Sequence, residues 1–302
     1  MRAAKLEYPV ITLEGRALLP AGTRLTPMVL RELIASNRDK PYRKRPFLGH
    51  GTVRRDIDRL FREPPYASIF RSEERTFVLG LMSKMRFVAP LLEFIDYAKK
   101  RDAYTYRHIL MVFALSTMLV RDLITKSEDW ITEAMAGTLH DLGKICVPLP
   151  VLKKSNPISR TEKNILEHHA LAGFVLVCYY LRDTGSVAAR VAKGHHERRD
   201  GSGYPQGVLL RDRMVEIIAA CDVYDALISS RPYRPTPYDN RTALEALTDM
   251  ARDGKLGWKV VQALVAHNRK DRPPYRRCVV STEKRGIPPA DSLYGKLSDE
   301  AR

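Results

Sequence analysis

The sequence is poor in cysteine. Its 302 residues hold four, Cys146, Cys178, Cys221 and Cys278, and no two of them form a C-x-x-C pair. This spacing excludes a dense disulfide framework and a cysteine-based zinc ribbon. It predicts reduced, mostly buried thiols of the kind found in cytoplasmic proteins.

Long hydrophobic runs are also missing. The longest, Ile109 to Val120, is too short to span a bilayer and predicts a buried helix. The stretch from Met1 to Gly15 carries scattered charges and no apolar segment of the secretory type. We therefore expect a cytoplasmic protein without a transmembrane segment.

Acidic residues are scarce relative to basic ones, so the net charge is +16. Residues 1–100 hold 20 Lys and Arg against 11 Asp and Glu, which is more than half of the excess. A basic surface concentrates polyanions, so nucleic acid, an anionic membrane face and a nucleotide are all admissible partners. Solubility alone explains the charge equally well.

Histidines and aspartates carry the candidate chemistry. His195 and His196 are adjacent and follow the apolar run Val187 to Val191, and a glycine-rich turn that ends in Tyr204-Pro205 comes next. An isolated pair of this kind is typical of a solvated helix end. Here the same apolar helical region also holds further potential ligands, namely His108, His140, Asp141, His169 and Asp222. Together they indicate a metal site.

Three motifs in order resemble those of a known family. They are TLHDLGK at residues 138 to 144, HHERRDGSGYP at 195 to 205 and CDVYDALISSRPYR at 221 to 234. Over roughly residues 100 to 270 the chain resembles the HD-GYP family, the bacterial phosphodiesterases that open cyclic di-GMP. The resemblance implies a mainly α fold, with an HD-type all-helical catalytic domain preceded by a small α/β module.

The resemblance also implies a set of metal ligands. The set comprises His108, His140, Asp141, His169, His195, His196 and Asp222. His169 is preferred to His168 because the family's ligand stands four residues before a glycine, here Gly173. Nitrogen and oxygen donors favour Fe or Mn, with Zn or Ni as alternatives. Two divalent ions and not three are predicted, since Tyr104 stands where some family members carry a glutamate for a third ion.

Further residues are assigned by their place in the motifs. Lys144 is expected to bind the phosphate or to help protonate the leaving 3′-oxygen. Arg231 and Arg234 resemble the family's phosphate-binding cations. The loop Gly203, Tyr204 and Pro205 shapes the mouth of the site or a partner surface. Asp225 is expected to hydrogen-bond a metal ligand.

Periodicity predicts several helices. One runs from Trp130 to Leu142 and ends at Gly143, which places His140 and Asp141 near its C-terminal end. Another opens with a Ser159 and Glu162 capping box and runs to Leu181. A third stretch, Phe70 to Lys100, is kinked or interrupted at Pro90.

The chain is divided into four parts. We predict an N-terminal regulatory or adaptor module over residues 1–66, a helical linker over 67–100, the catalytic domain over 101–270 and a basic tail over 271–302. Protein signalling partners are expected at the Gly203 to Pro205 loop or at the N-terminal module, and a homodimer is left open.

The predicted activity is metal-dependent hydrolysis of cyclic di-GMP to linear pGpG, GMP or both. In this chemistry two metal ions activate water and neutralise phosphoryl charge. Two alternatives remain open. One is a cyclic di-GMP receptor that signals through the N-terminal module with little turnover, and the other is an HD-type hydrolase of another cyclic dinucleotide.

Overall fold

The computed structural model describes residues 4–291 and 297–298. Within them thirteen α-helices dominate: α1 (Pro27–Ala35), α2 (Val53–Leu60), α3 (Ser72–Ser83), α4 (Ala89–Arg101), α5 (Ala103–Leu123), α6 (Trp130–Met135), α7 (Leu149–Leu152), α8 (Arg160–Glu167), α9 (His169–Leu181), α10 (Val187–Gly194), α11 (Arg213–Ile228), α12 (Asn240–Arg252) and α13 (Trp258–Asn268). Two antiparallel pairs of short strands accompany them, β1 (Val10–Ile11) with β2 (Ala17–Leu19) and β3 (Lys44–Pro46) with β4 (Arg86–Val88). This confirms the predicted mainly α fold with a small α/β portion at its N-terminal end.

Helix α5 lies at the centre of the protein. Asp102 caps its first turn by accepting a hydrogen bond from Thr105 N at 3.3 Å. The helix packs against α3, α4, α11 and α13. Its length and composition would suffice to cross a membrane, but 83% of its apolar window is buried inside the protein. The expectation of a buried core helix over Ile109 to Val120 is therefore confirmed.

The N-terminal elements share this core. Strand β3 pairs with β4, with Lys44 opposite Val88, so residues on both sides of the proposed boundary at 66/67 form one sheet. Asn37 Nδ2 donates to the carbonyl oxygen of Tyr179 on α9 at 2.7 Å. The division into four parts stays a prediction. Residues 1–3 of the N-terminal module, and residues 292–296 and 299–302 of the basic tail, lie outside the described residues.

Helix boundaries were predicted well where a cap or a proline defines them. The capping box of Ser159 and Glu162 opens α8. The stretch from residue 70 to 100 is interrupted as expected, and Pro90 lies in the first turn of α4. A break at His168 divides the predicted helix to Leu181 into α8 and α9.

The helix predicted from Trp130 to Leu142 was wrong in its second half. Helix α6 ends at Met135, and His140 and Asp141 lie in a turn between two short 3-10 segments, residues 136–138 and 142–146. Tertiary packing explains the change. A Cβ on Gly143 would collide with the carbonyl oxygen of His169, so this segment is pressed against the first turn of α9. A regular helix with side chains on that face would not fit there.

Candidate metal centre

The seven predicted ligands converge on one buried place. His108 comes from α5 and Asp222 from α11. The others lie in turns or at helix ends: His140 and Asp141 in a turn, His169 at the start of α9, and His195 and His196 directly after α10. Six of the seven have exposures of 9% or less, and His196 is half-buried. Buried nitrogen and carboxylate donors on this scale are costly unless they are paired or bind metal.

His108, His140 and Asp222 form the first group. His108 Nε2 lies 3.0 Å from Asp222 Oδ1 and 3.4 Å from His140 Nε2. Two ligand atoms that each lie about 2.1 Å from one ion are separated by about 3.0 to 3.4 Å in octahedral or tetrahedral geometry. The observed spacing therefore fits a shared divalent ion.

His169, His195 and His196 form the second group. His169 Nε2 lies 3.2 Å from His195 Nε2 and 3.1 Å from His196 Nε2. These distances fit a second ion by the same comparison. His168, the competing histidine, is buried against Tyr8 with ring centroids 5.5 Å apart.

Asp141 lies between the two groups. Its Oδ2 is 3.3 Å from His140 Nε2, and its Oδ1 is 3.5 Å from His169 Nε2. Lys144 Nζ donates to Oδ2 at 2.6 Å. Burial would raise the pKa of Asp141, but the charge of Lys144 and the contact with His140 hold it well below its usual range. The group is thus a carboxylate with one oxygen directed to each histidine group.

Backbone carbonyls orient three of the histidines. The Nδ1 atoms of His140, His169 and His195 lie 2.8 Å from Gly137 O, 2.5 Å from Leu166 O and 3.0 Å from Val191 O respectively. A carbonyl oxygen only accepts, so each Nδ1 carries the proton and each Nε2 presents a lone pair to the centre. These carbonyls lie at the ends of helices and turns, and Val191 O also accepts from His195 N at 3.0 Å, since a carbonyl oxygen has two lone pairs.

His108 is oriented differently, by a side chain. Its Nδ1 lies 2.7 Å from Asp225 Oδ2, the partner expected from the sequence. Arg231 Nη2 lies 2.8 Å from the same Nδ1 and 3.7 Å from Asp225 Oδ2. Two N–H groups cannot bond to each other, so Asp225 is the acceptor that serves the histidine. Tyr66, which the sequence reasoning missed, donates its hydroxyl to Asp225 Oδ1.

The loop after the histidine pair covers the second group. The Tyr204 ring stacks on His196 with centroids 4.4 Å apart and planes 20° apart. Glu197 holds the loop, because its buried carboxylate accepts from Gln206 N at 2.8 Å and from Val208 N at 3.1 Å. Gly203 packs so closely on Glu197 that a Cβ would lie 2.5 Å from its Cα. Glu197 was missed from the sequence, although an acid directly after two histidines was a visible signal.

A cavity of about 350 Å³ adjoins the centre. Lys144 and Arg231 line it together with the rings of Tyr104, Tyr204 and Tyr233. Cations suit phosphate oxygens, and aromatic faces suit nucleobases. The predicted positions of Lys144, Arg231 and Tyr204 therefore belong to one pocket beside the candidate ligands.

Arg234 is placed elsewhere, and its prediction as a phosphate-binding cation is corrected. Its side chain is 2% exposed, and its Nη2 donates to the carbonyl oxygens of Ala226, of Leu227 at 3.2 Å and of Ser229 at 3.3 Å. These are carbonyls at the C-terminal end of α11, where a cation also complements the helix dipole. The residue therefore caps a helix instead of facing the cavity.

Comparison with known proteins gives one family and several relatives. Residues 90–260 match the model of the HD domain family. A cyclic di-GMP phosphodiesterase of Pseudomonas aeruginosa is 37% identical over 175 residues, which is 55% of this chain and 40% of that protein. Another, of Thermotoga maritima, is 33% identical over 198 residues, 63% of this chain and 52% of that protein.

A relative with a different substrate in its name also matches. The 3′3′-cGAMP-specific phosphodiesterase 3 of Vibrio cholerae is 33% identical over 147 residues, 48% of this chain and 32% of that protein. The chain thus spans about half or less of the length of the curated relatives it matches.

Proposed function

The chain belongs to the HD domain family and carries the HD-GYP motifs, and we propose that it is a metal-dependent phosphodiesterase that hydrolyses cyclic di-GMP. One observation supports this proposal above others. Two groups of three ligands flank a single carboxylate, Asp141, beside a cavity lined by cations and tyrosines. This arrangement suits hydrolysis of a phosphodiester in a nucleotide.

We assign the ligands accordingly. His108, His140 and Asp222 would hold one ion, and His169, His195 and His196 would hold the other. Asp141 would serve both, since one of its oxygens is directed to each group. When bound, the ions would supply Lewis-acid activation of the phosphoryl group and of the attacking water. Fe and Mn suit the mixed donors best, with Zn and Ni as alternatives.

The remaining side chains would handle the substrate. Lys144 contacts Asp141 and lines the cavity, so its amine lies where the phosphate approaches the ions. We assign it to binding a phosphoryl oxygen and to protonating the leaving 3′-oxygen. Arg231 lines the same cavity and would also bind the phosphate, and Tyr104, Tyr204 and Tyr233 would pack against the bases. A cytoplasmic location and a protein partner at the Gly203 to Pro205 loop or at the N-terminal module stay predictions.

A second candidate substrate is 3′3′-cGAMP. A relative with that specificity in its name shares 33% identity with this chain. Both dinucleotides carry the same phosphodiester ring and differ in one base. The metal ligands therefore do not distinguish them, and the walls of the cavity must.

The deciding experiment compares both substrates directly. Purified protein is loaded anaerobically with Fe(II) or with Mn²⁺, incubated with cyclic di-GMP or 3′3′-cGAMP, and the products are resolved by chromatography. We expect linear pGpG, GMP or both, and no product after chelation. Faster opening of 3′3′-cGAMP would assign the second substrate. Tight nucleotide binding without product from fully loaded protein would show a receptor instead of an enzyme.

A further inference from the structure

Tyr66 lies outside the region that matches the family, yet its hydroxyl is linked through Asp225 to His108, a candidate metal ligand. Its side chain has no exposed surface, and its hydroxyl donates to Asp225 Oδ1 and lies 3.1 Å from Ser229 Oγ. The other oxygen of Asp225 accepts from His108 Nδ1 at 2.7 Å. An unbroken path of hydrogen bonds therefore runs from Tyr66 to a candidate ligand.

The direction of this path is set by chemistry. A carboxylate only accepts hydrogen bonds, so Tyr66 must be the donor. Burial and the charge of Asp225 hold the pKa of Tyr66 well above its ordinary value, which keeps the phenol protonated. Asp225 therefore accepts from Tyr66 on Oδ1, and from His108 at 2.7 Å and Ser229 at 3.4 Å on Oδ2.

The turn and the ring of Tyr66 are held in place by several contacts. Arg272 Nη2 donates to Ser68 O at 2.7 Å and to Ile69 O at 2.6 Å. Asn240 Nδ2 donates to Pro65 O at 3.2 Å. The guanidinium of Arg107 lies over the Tyr66 ring, 5.2 Å from its centroid. The turn that carries Tyr66 is thus bonded to Asn240 at the start of α12 and to Arg272 after α13, and the Tyr66 ring lies against Arg107 of α5.

His108 needs such support more than the other histidines do. It lies within α5, and the acceptor at its Nδ1 is the side chain of Asp225, at 2.7 Å from Oδ2, where three of the other histidines use a backbone carbonyl. A carboxylate replaces that acceptor, but a carboxylate rotates unless its own oxygens are bonded. Tyr66 and Ser229 provide those bonds.

We infer that Tyr66 is a positioning residue of the metal centre, which fixes Asp225 and through it the ring of His108, so that Nε2 faces Asp222 and Asp141. The inference rests on the metal centre of the proposed function. It means that a ligand of the matched region, residues 90–260, is oriented by a residue contributed from the N-terminal part of the chain.

A matched control separates this role from simple burial of a tyrosine. Tyr106 is also buried, and its hydroxyl donates to the Asp56 carboxylate at 2.8 Å. Asp56 is bonded to Thr52 and Lys99 and not to a candidate ligand. Tyr66→Phe and Tyr106→Phe therefore remove the same kind of hydrogen bond, and only the first leads to His108.

The test is titration of the metal-free full chain with Mn²⁺. Binding is measured by calorimetry and by the electron paramagnetic resonance signal of free Mn²⁺. We expect Tyr66→Phe to weaken the binding of one of the two ions by about 3 to 10-fold and to leave the affinity for the other ion unchanged. Asp225→Asn should weaken the same ion by about 10 to 100-fold. The visible spectrum of the Co²⁺-loaded protein should change in both variants. Tyr106→Phe should lower the melting temperature and leave both affinities and the spectrum as in the wild type.

The outcomes are distinguishable. If wild-type protein binds two ions and Tyr66→Phe binds both with unchanged affinity and spectrum, the inference is overturned and the proposed function stands. Equal weakening in Tyr66→Phe and Tyr106→Phe also overturns it, because general destabilisation would then be the cause. If wild-type protein binds no Mn²⁺ at all, the metal centre fails and the proposed function fails with it.

Discussion

Replacement of Asp141 by alanine should abolish hydrolysis while preserving the fold. The carboxylate is directed to both histidine groups, with Oδ2 at 3.3 Å from His140 Nε2 and Oδ1 at 3.5 Å from His169 Nε2. Alanine removes both oxygens and would leave each ion one ligand short. The side chains that remain are the histidines, Asp222 and Lys144, and Lys144 retains partial access to solvent.

The expected magnitude follows from the two contacts. Loss of a residue that merely orients a ligand typically costs 10 to 100-fold in metal affinity or activity. Asp141 would contribute directly to two ions, so the two factors multiply to a rate loss on the order of 10² to 10⁴-fold. That range corresponds to about 3 to 5 kcal/mol in transition-state stabilisation.

The assay measures product by chromatography, bound metal by elemental analysis and helix content by circular dichroism. Asp249→Ala is the matched control. This substitution also removes a carboxylate that forms ion pairs, with Arg252 at 2.9 Å and with Lys284 at 2.5 Å, but Asp249 lies on α12 away from the candidate ligands. We expect the control to retain metal and turnover. Turnover of Asp141→Ala within a few-fold of wild type would refute the bridging role and the metal-hydrolase mechanism with it.

Three further predictions concern other parts of the molecule. Lys144→Ala should lower the rate yet leave metal content near that of the wild type, as elemental analysis would check; loss of metal would make Lys144 part of the ion site. Arg234→Ala should lower the melting temperature by removing a buried cap, about 1 to 3 kcal/mol, and protein that melts as the wild type does would contradict this. The metal-free protein should lose stability in urea as pH falls below about 6.5, since burial lowers the pKa of His195 to about 3 and that of His168 to about 4, so that at these two histidines only the unfolded chain takes up a proton. Equal stability at pH 7 and pH 5 would contradict that sign.

Much of the candidate site could be predicted because metal ligands are recognisable by residue type and by their spacing in the sequence. The adjacent pair His195 and His196, the pair His140 and Asp141, and Asp222 on an apolar helix are all visible without a structure. The fold class followed from the family resemblance over roughly residues 100 to 270, and helical spacing of apolar residues supported it in single stretches such as Phe70 to Lys100. Local signals, such as the capping box that opens α8, also predicted their helix starts.

What failed depends on packing between distant segments. The turn that holds His140 and Asp141 exists because Gly143 is pressed against the backbone of His169, a contact that no local pattern encodes. Arg234 has the residue type of a phosphate ligand, but the chain after α11 folds back and directs it to helix carbonyls. Tyr66 is separated from Asp225 by 159 residues, so only the tertiary structure reveals that pair.

The side chains around His108 also limit the number of ions that the candidate centre can bind. A third ion beside His108 would need an anionic donor one turn earlier on α5, and that position is Tyr104, whose side chain is 45% exposed at the mouth of the cavity. A phenol stays protonated at neutral pH and is a poor ligand. The first acid that precedes Tyr104 in the chain, Asp102, is already used to cap α5, since it accepts from Thr105 N at 3.3 Å and from Thr105 Oγ1 at 2.6 Å. Among the described residues the potential ligands at this centre form two groups, and the side chains beside His108 are committed to capping the helix and lining the cavity.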